Sequence, residues 1–377
     1  MRKLAERARL DAAYDADKSI IRGLLGSANW TSADIEQWEK KADEEHWIRT
    51  RVLMDCPKGS VGVWLEEEVV DKRLVTVPVI LLFLASNVAA SGIILREEND
   101  FFTGSDDYYT QGLELLGVGH VVRRKDHLYL RSYGVRNLMY TPSDIRIAED
   151  QPEERPWAGL TAALVEEWYY RKKQSLRVEW MAGVLGEWSQ SDEIQTWFHD
   201  LIGDNLPMGW DNQIPNEPFV NVAVEYYRPL YVVGSQWQFD VTGQWGGSLG
   251  TAFVNMGGGL LLRGGWQVPS DYNLGLITPT VAKANELSAY LFLENKARFV
   301  AHNATLGGSL FQDGPSRELE PLVGDVRGGF SLGLNRVLGS SYDFRLVYSG
   351  VVRSKEFEGQ KEVVDYGSIL LYVMGGF

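Results

Sequence analysis

Gly367-Ser-Ile-Leu-Leu-Tyr-Val-Met-Gly-Gly-Phe377 closes the chain, and its alternation decides the fold class. Ile369, Leu371, Val373, Gly375 and Phe377 fall at every second position, so an extended strand carries them all on one face. An apolar face that ends on a C-terminal aromatic is the sorting pattern of the last strand of an outer-membrane barrel. A soluble β-sandwich reaches such an ending only by chance. Working upstream, Val220-Asn-Val-Ala-Val-Glu-Tyr-Tyr-Arg228, Gln236-Trp-Gln-Phe-Asp-Val-Thr-Gly-Gln-Trp245 and Ser288-Ala-Tyr-Leu-Phe-Leu-Glu-Asn-Lys-Ala-Arg-Phe-Val300 alternate in the same way. Their second face is mixed, as a strand between lipid and a polar lumen requires.

Twelve such segments are expected, at 92–98, 108–121, 127–138, 157–171, 174–186, 218–231, 234–246, 250–264, 287–301, 322–336, 341–354 and 364–377. The expected fold is therefore all-β, a transmembrane antiparallel barrel of about twelve strands occupying residues 91–377. Nothing after residue 90 offers the roughly 18 consecutive apolar residues of a membrane helix. If the first strand rises from the periplasm, the long segments 139–156, 187–217, 302–321 and 355–363 lie outside. Short turns such as Arg171-Lys-Lys-Gln174 lie inside, and 265–286 is a long inner connection that departs from the rule.

Before the strands, Lys72 and Arg73 precede the apolar run Leu74–Leu84, followed by Ala85, Ser86, Ala89 and Ala90. Charged region, apolar core and small-residue end form the order of an export signal, placed at 71–90. The core is shorter than the roughly 20 residues of a membrane span. Residues 1–70 stand in front of it, charged and helical in pattern, with a cap at Thr31 and a helix through Glu36–Arg51. Two readings remain: translation that starts near Met54, Val69 or Val70, which leaves a gene-model artefact upstream, or a genuine soluble appendage. The first is favoured, because a long charged extension would obstruct recognition of the signal. The single cysteine, Cys56, lies upstream too, so the exported part has no disulfide or thiolate.

Composition agrees. The net charge of −14 argues against nucleic acid as partner, and 39 glycines with 12% aromatics suit a β protein with tight turns and aromatic girdles.

For chemistry, most histidines (His46, His120, His127, His302) sit upstream or near strand ends. His199 differs. It stands in a long outer segment, Ser191-Asp-Glu-Ile-Gln-Thr-Trp-Phe-His-Asp-Leu-Ile-Gly203, patterned as a short amphipathic helix whose apolar stripe is Ile194, Trp197, Phe198, Leu201 and Ile202. Packed on the barrel wall, such a helix would hold His199 at a lipid-accessible edge. From spacing alone a structural histidine and a catalytic one both remain open. Glu97, Glu98, Asn99, Asp100, Asp106, Asp107 and Thr110 crowd the first loop, an oxygen density that suits Ca²⁺ or simply a solvated acidic loop. Gly246-Gly-Ser-Leu-Gly250 matches a nucleophile elbow, but it joins two expected strands where that turn needs a helix to follow.

Several blocks, in order, resemble the outer-membrane lipid A 3′-O-deacylases. They are Glu98-Asn-Asp-Phe-Phe-Thr-Gly104 with Tyr108-Tyr-Thr-Gln-Gly112, Tyr140-Thr-Pro-Ser-Asp-Ile145, Arg155-Pro-Trp-Ala-Gly159, Gln195-Thr-Trp-Phe-His199, Gly209-Trp-Asp-Asn-Gln-Ile-Pro-Asn-Glu217 and Glu320-Pro-Leu-Val-Gly-Asp325. The resemblance covers most of 92–377 and none of 1–70. It implies a twelve-stranded barrel of the bacterial outer membrane that removes the 3′ acyloxyacyl group of lipid A, at a site between the wall and an extracellular-loop helix. A calcium ion would polarise the ester carbonyl while a histidine activates water. Carried over, His199 is the general base, and Asn99 and Asp100 belong to the calcium and oxyanion region. Arg155 holds a lipid phosphate or glucosamine oxygen, with Thr110 and Trp197 also on the substrate. Asp204 is the acidic partner of His199, and Asp200 competes with it. The implied partner is lipopolysaccharide of the outer leaflet, met by a monomer. A non-catalytic barrel (channel or adhesin) and a serine-type outer-membrane phospholipase are the rival readings.

Overall fold

The computed structural model describes residues 91–103, 108–171, 173–270, 286–335 and 342–375. The extension 1–70, the export segment 71–90, Asp106, Asp107 and Phe377 lie outside those residues.

Among the described residues the strands are β1 (Gly92–Asn99), β2 (Gln111–Val118), β3 (Val122–Arg123), β4 (Leu128–Tyr140), β5 (Ala158–Arg171), β6 (Gln174–Leu185), β7 (Glu217–Gly234), β8 (Trp237–Gly250), β9 (Phe253–Trp266), β10 (Glu286–Asn303), β11 (Leu322–Asn335), β12 (Tyr342–Arg353) and β13 (Val364–Gly375). All pairings are antiparallel between chain neighbours, except that β1 also pairs with β13 and β2 passes over β3 to pair with β4. The ring is thus closed by twelve long strands, with β3 a two-residue arm on one end of β4. Closure leaves no unpaired edge to face lipid.

The terminal alternation behaves as expected. Leu371 and Val373 are exposed on the outer face of β13, beside Leu95 and Ile93 of β1 in register. Leu291 and Leu293 on β10, and Val220 and Val224 on β7, also point outward. Two boundaries moved for local reasons. The expected strand 108–121 contracts to Gln111–Val118, because Tyr108 takes φ 68° and breaks extension. The strand expected to end at 231 runs to Gly234, because a bulge between Pro229 and Tyr231 accommodates the missing proline N–H.

Inward positions carry paired charges. Arg96 approaches Glu114 at 3.4 Å, Arg136 bonds Glu114 and Glu179 (2.8 Å), and Arg177 bonds Glu179, Glu166 and Glu225 (3.0 Å). Lys296 on β10, three strands along the ring, meets Glu225 on β7. Arg298 and Arg353 share Asp325, the latter at 2.7 Å. Such pairs contribute little net stability, since desolvation offsets attraction, but each single charge left alone would be costly. The lumen is therefore filled by a ladder in which every rung depends on its neighbour.

Long segments 141–157, 186–216, 304–321 and 354–363 gather at one end of the ring, and the short β5–β6 and β7–β8 connections at the other. Long loops mark the extracellular end of such barrels and short turns the periplasmic end.

Candidate functional site

The segment 186–216 carries helix α1 (Ser191–Ile202), which includes His199. Asp192 and Glu193 occupy its first turn, where the helix dipole favours carboxylates. Gly203, at φ 72°, stops it abruptly. The Asp204 N–H returns to the His199 carbonyl at 2.9 Å, and the chain turns back so that the Asn205 carbonyl lies 2.6 Å from His199 Nδ1. The Asp204 carboxylate accepts the Asn205 backbone N–H at 2.7 Å, so it touches the residue that holds the ring rather than the ring itself.

How α1 meets the wall differs from the expected apolar contact. Ile194 is half-buried, while Trp197, Phe198, Leu201 and Ile202 are exposed, Trp197 at 64%. The docked face is small and polar. Asn137 Nδ2 on β4 donates to Ser191 Oγ (3.0 Å) and to Thr161 Oγ1 on β5 (2.7 Å), and Thr161 Oγ1 donates to the Ser189 carbonyl (2.7 Å). Gly159 permits this approach, because a Cβ there would collide with Ser189 and Ser191. The wall at this level presents Gly159, Thr161 and Asn137 outward, so hydrogen bonds hold the helix and most of its apolar stripe stays exposed.

A second clasp lies beyond. Trp210 Nε1 donates to Gln195 Oε1 at 2.7 Å, both residues buried. Trp210 packs on Trp157, with ring centres 5.0 Å apart and Ile145 in the same cluster. The Met208 N–H reaches the Ile145 carbonyl (2.8 Å) and the Ile214 N–H the Trp157 carbonyl (3.0 Å). Between α1 and this returning loop opens a groove of about 510 Å³, lined by Thr196, Trp197, Leu206, Met208 and Trp210 with Asp200 at its side. Trp210 and Gln195 both fall in the blocks that carry the family resemblance, yet nothing in the sequence pairs them. Their spacing carried no signal, because a loop decides which side chain reaches which.

The other candidates stand at the same end. Asn99 Oδ1 accepts the Phe101 N–H at 2.8 Å and so caps the 3-10 turn Asp100–Phe102, in which Asp100 is buried. Thr110 Oγ1 and Thr141 Oγ1 share a hydrogen bond of 2.8 Å. Arg155 is 1% exposed. It donates to Glu356 Oε2 (2.7 Å) and Thr305 Oγ1 (3.1 Å) and lies 4.1 Å above the Tyr140 ring. With these contacts Arg155, expected to hold a phosphate or glucosamine oxygen, ties three loops together. Burial alone would raise the Glu356 carboxyl, but Arg353, Arg155 and Arg298 outweigh that and hold it below its usual range. His199 makes no hydrogen bond or ion pair with Asn99, Asp100, Arg155 or Thr110 among the described residues.

Calcium takes six to eight oxygens. Among the described residues no three His, Cys, Asp or Glu side chains form a metal-binding group, and the Asn99 amide oxygen is engaged by the turn it caps. Among the described residues, Asn99 and Asp100 alone are too few to complete such a shell. Ser248 lies inside β8 and accepts from Asn221 Nδ2 at 2.7 Å, so the apparent elbow is strand.

A closed barrel of twelve long antiparallel strands, apolar outside and charged within, with long loops at one end, defines a bacterial outer-membrane protein. The chain belongs to the family described as outer membrane protein LpxR, whose model matches residues 74–374. Membership makes it an ester hydrolase of the lipid A deacylase class, resident in the outer membrane. The structure of LpxR from Salmonella typhimurium is 20% identical, covers 76% of this chain and 100% of its own, and superposes with a TM-score of 0.61, which shows the shared fold. The β domain of the Bordetella autotransporter BrkA is 11% identical over 75% of this chain and 97% of its own, with a TM-score of 0.42. No curated protein sequence matches the chain.

Proposed function

We propose that His199 is the general base that activates water to hydrolyse the 3′-linked acyloxyacyl ester of lipid A. The observation that carries this is the 2.6 Å contact of His199 Nδ1 with the Asn205 carbonyl. A carbonyl only accepts, so Nδ1 bears the hydrogen and the neutral ring keeps its lone pair on Nε2. That is the nitrogen able to take a proton from water, on a ring fixed in orientation. Asp204 steadies Asn205 and acts on His199 through it. Trp197, Phe198, Leu201 and Ile202 supply apolar contact for acyl chains arriving through the outer leaflet, and the groove beside Trp197 gives one of them a bed.

Asn99 and Asp100 belong, on this reading, to the oxyanion side of the site. They supply two of the oxygens that the resemblance assigns to calcium. Arg155 and Thr110 brace the loops from below rather than gripping the headgroup.

Mass spectrometry of lipid A from cells expressing the chain tests the reading. Wild type should remove the 3′ acyloxyacyl group, and His199→Ala should slow that loss by ~10²–10⁴. An active His199→Ala variant, or lipid A untouched by wild type, overturns it. Turnover of phospholipid instead would favour the phospholipase reading. Chelation followed by calcium or magnesium addition tests the ion: only restoration by calcium supports it.

A further inference from the structure

At the turn end the chain gathers positive charge despite its net −14. Arg123, Arg124 and Lys125 tip the hairpin between β3 and β4, and Arg171 and Lys173 flank the adjacent β5–β6 turn; all are exposed. Arg131 stands on the outward face just above. Two acids lie among these six cations, and both are engaged. Glu167 accepts from Tyr129 Oη (2.6 Å) and Arg131 Nη2 (2.6 Å). Asp126 pairs with His127 Nδ1 (2.8 Å) and Arg171 Nη2 (2.9 Å). Arg123, Arg124, Lys125 and Lys173 have no acidic partner among the described residues.

Of these groups Arg124, Arg131 and Glu167 line an open groove of about 380 Å³, together with His127, Tyr129 and Tyr169. It lies on the outer surface of the ring, since the alternate residues Leu130, Ser132, Glu166 and Trp168 are the buried, inward ones. Its rings are packed together, Tyr129 on Tyr169 at 5.2 Å and His127 on Tyr169 at 5.8 Å. Immediately above, Val165 pairs with Trp180, which is half exposed, and the apolar band begins. The groove therefore sits where aromatic girdle meets headgroups, on the periplasmic rim.

We propose that this groove binds the headgroup of an anionic phospholipid in the inner leaflet. A phosphate diester has the charge the surplus cations lack, at the depth where the groove lies. Arg124 lines the groove from one hairpin and Arg171, paired with Asp126, adds its charge from the other; the tyrosine rings border the glycerol, and the acyl chains lie along Val165 and Trp180. The outer-leaflet site at the other end uses none of these residues, so the two bindings are separable.

Native mass spectrometry of the full chain in detergent, titrated with phosphatidylglycerol or phosphatidylethanolamine, tests this. Wild type should prefer phosphatidylglycerol. Arg124→Gln/Arg171→Gln should lose that preference by on the order of tenfold or more, from about 1 kcal/mol per cation. Arg124→Lys/Arg171→Lys should keep it. Lipid A deacylation by the Gln variant should equal wild type, which shows that it is folded. The proposal is overturned if wild type shows no preference, if the Gln variant keeps it, or if isolated peptidoglycan displaces the lipid and binds more tightly.

Discussion

Replacing Trp210 by Phe tests whether the clasp on Gln195 holds α1 in place. Phe keeps a ring to pack on Trp157 but deletes the Nε1 donor, 2.7 Å from Gln195 Oε1. Gln195 is 2% exposed, so its oxygen is left without water or partner, at a cost of ~1–3 kcal/mol. If that loss falls on the docked state of α1, the undocked population rises by a factor of about 5 to 150. Hydrogen exchange of the α1 amides from Ile194 to Ile202 should quicken accordingly, while amides in β4 and β5 keep their protection. Deacylation slows only to the extent that the docked fraction falls. The sharper arm is Gln195→Leu/Trp210→Phe. Removing both polar partners leaves no orphan, and it also removes Gln195 Nε2, which is buried without a partner among the described residues. The double variant should therefore protect α1 better than Trp210→Phe alone. Unchanged exchange in the single variant, or additive losses in the double, would refute the clasp.

Arg263 and Asp240 are both 0% exposed and share two 3.1 Å bonds inside the barrel. Arg263→Met should cost ~3–5 kcal/mol by stranding a buried carboxylate, and Arg263→Met/Asp240→Leu should recover most of it in urea unfolding. Equal losses in the two variants would sink this account. Glu356 supplies a pH dependence. Its folded pKa is depressed by Arg353, Arg155 and Arg298, so its contribution is full above the ordinary carboxylate pKa of about 4.3 and fades as pH falls through the lower folded value. Proteolysis of loop 141–157, which Arg155 ties to Glu356, should accelerate below about pH 4. Glu356→Gln should flatten that response. Asp144, held down to about 2 by Arg146, keeps its charge over most of that window, so its titration does not imitate the effect.

The barrel was legible in the sequence because its rule is local and repeats: each strand must alternate, and a closed ring needs every strand to do so. Ile369, Leu371 and Val373 carry that rule without knowing their neighbours, and the register with Ile93, Leu95 and Phe344 follows. The candidate site offered the sequence a different kind of signal. His199 stood out by its block and its helical setting, but the groups that give it a tautomer and a fixed pose are a backbone carbonyl at Asn205 and a loop tryptophan at 210, which leave no periodic trace. The apolar stripe of α1 misled for a physical reason. In water, a stripe of Trp197, Phe198, Leu201 and Ile202 must find a protein surface to cover it. Beside a bilayer, lipid covers it, so the helix is free to dock through Ser191 and Gln195 instead. For Arg155, spacing likewise gave no sign that three loops converge and bury its guanidinium against Glu356 and Tyr140. An amphipathic pattern therefore identifies α1 but not which face meets the wall. That choice is made by what Gly159, Thr161 and Asn137 present at the rim, and it leaves Trp197, Phe198, Leu201 and Ile202 exposed.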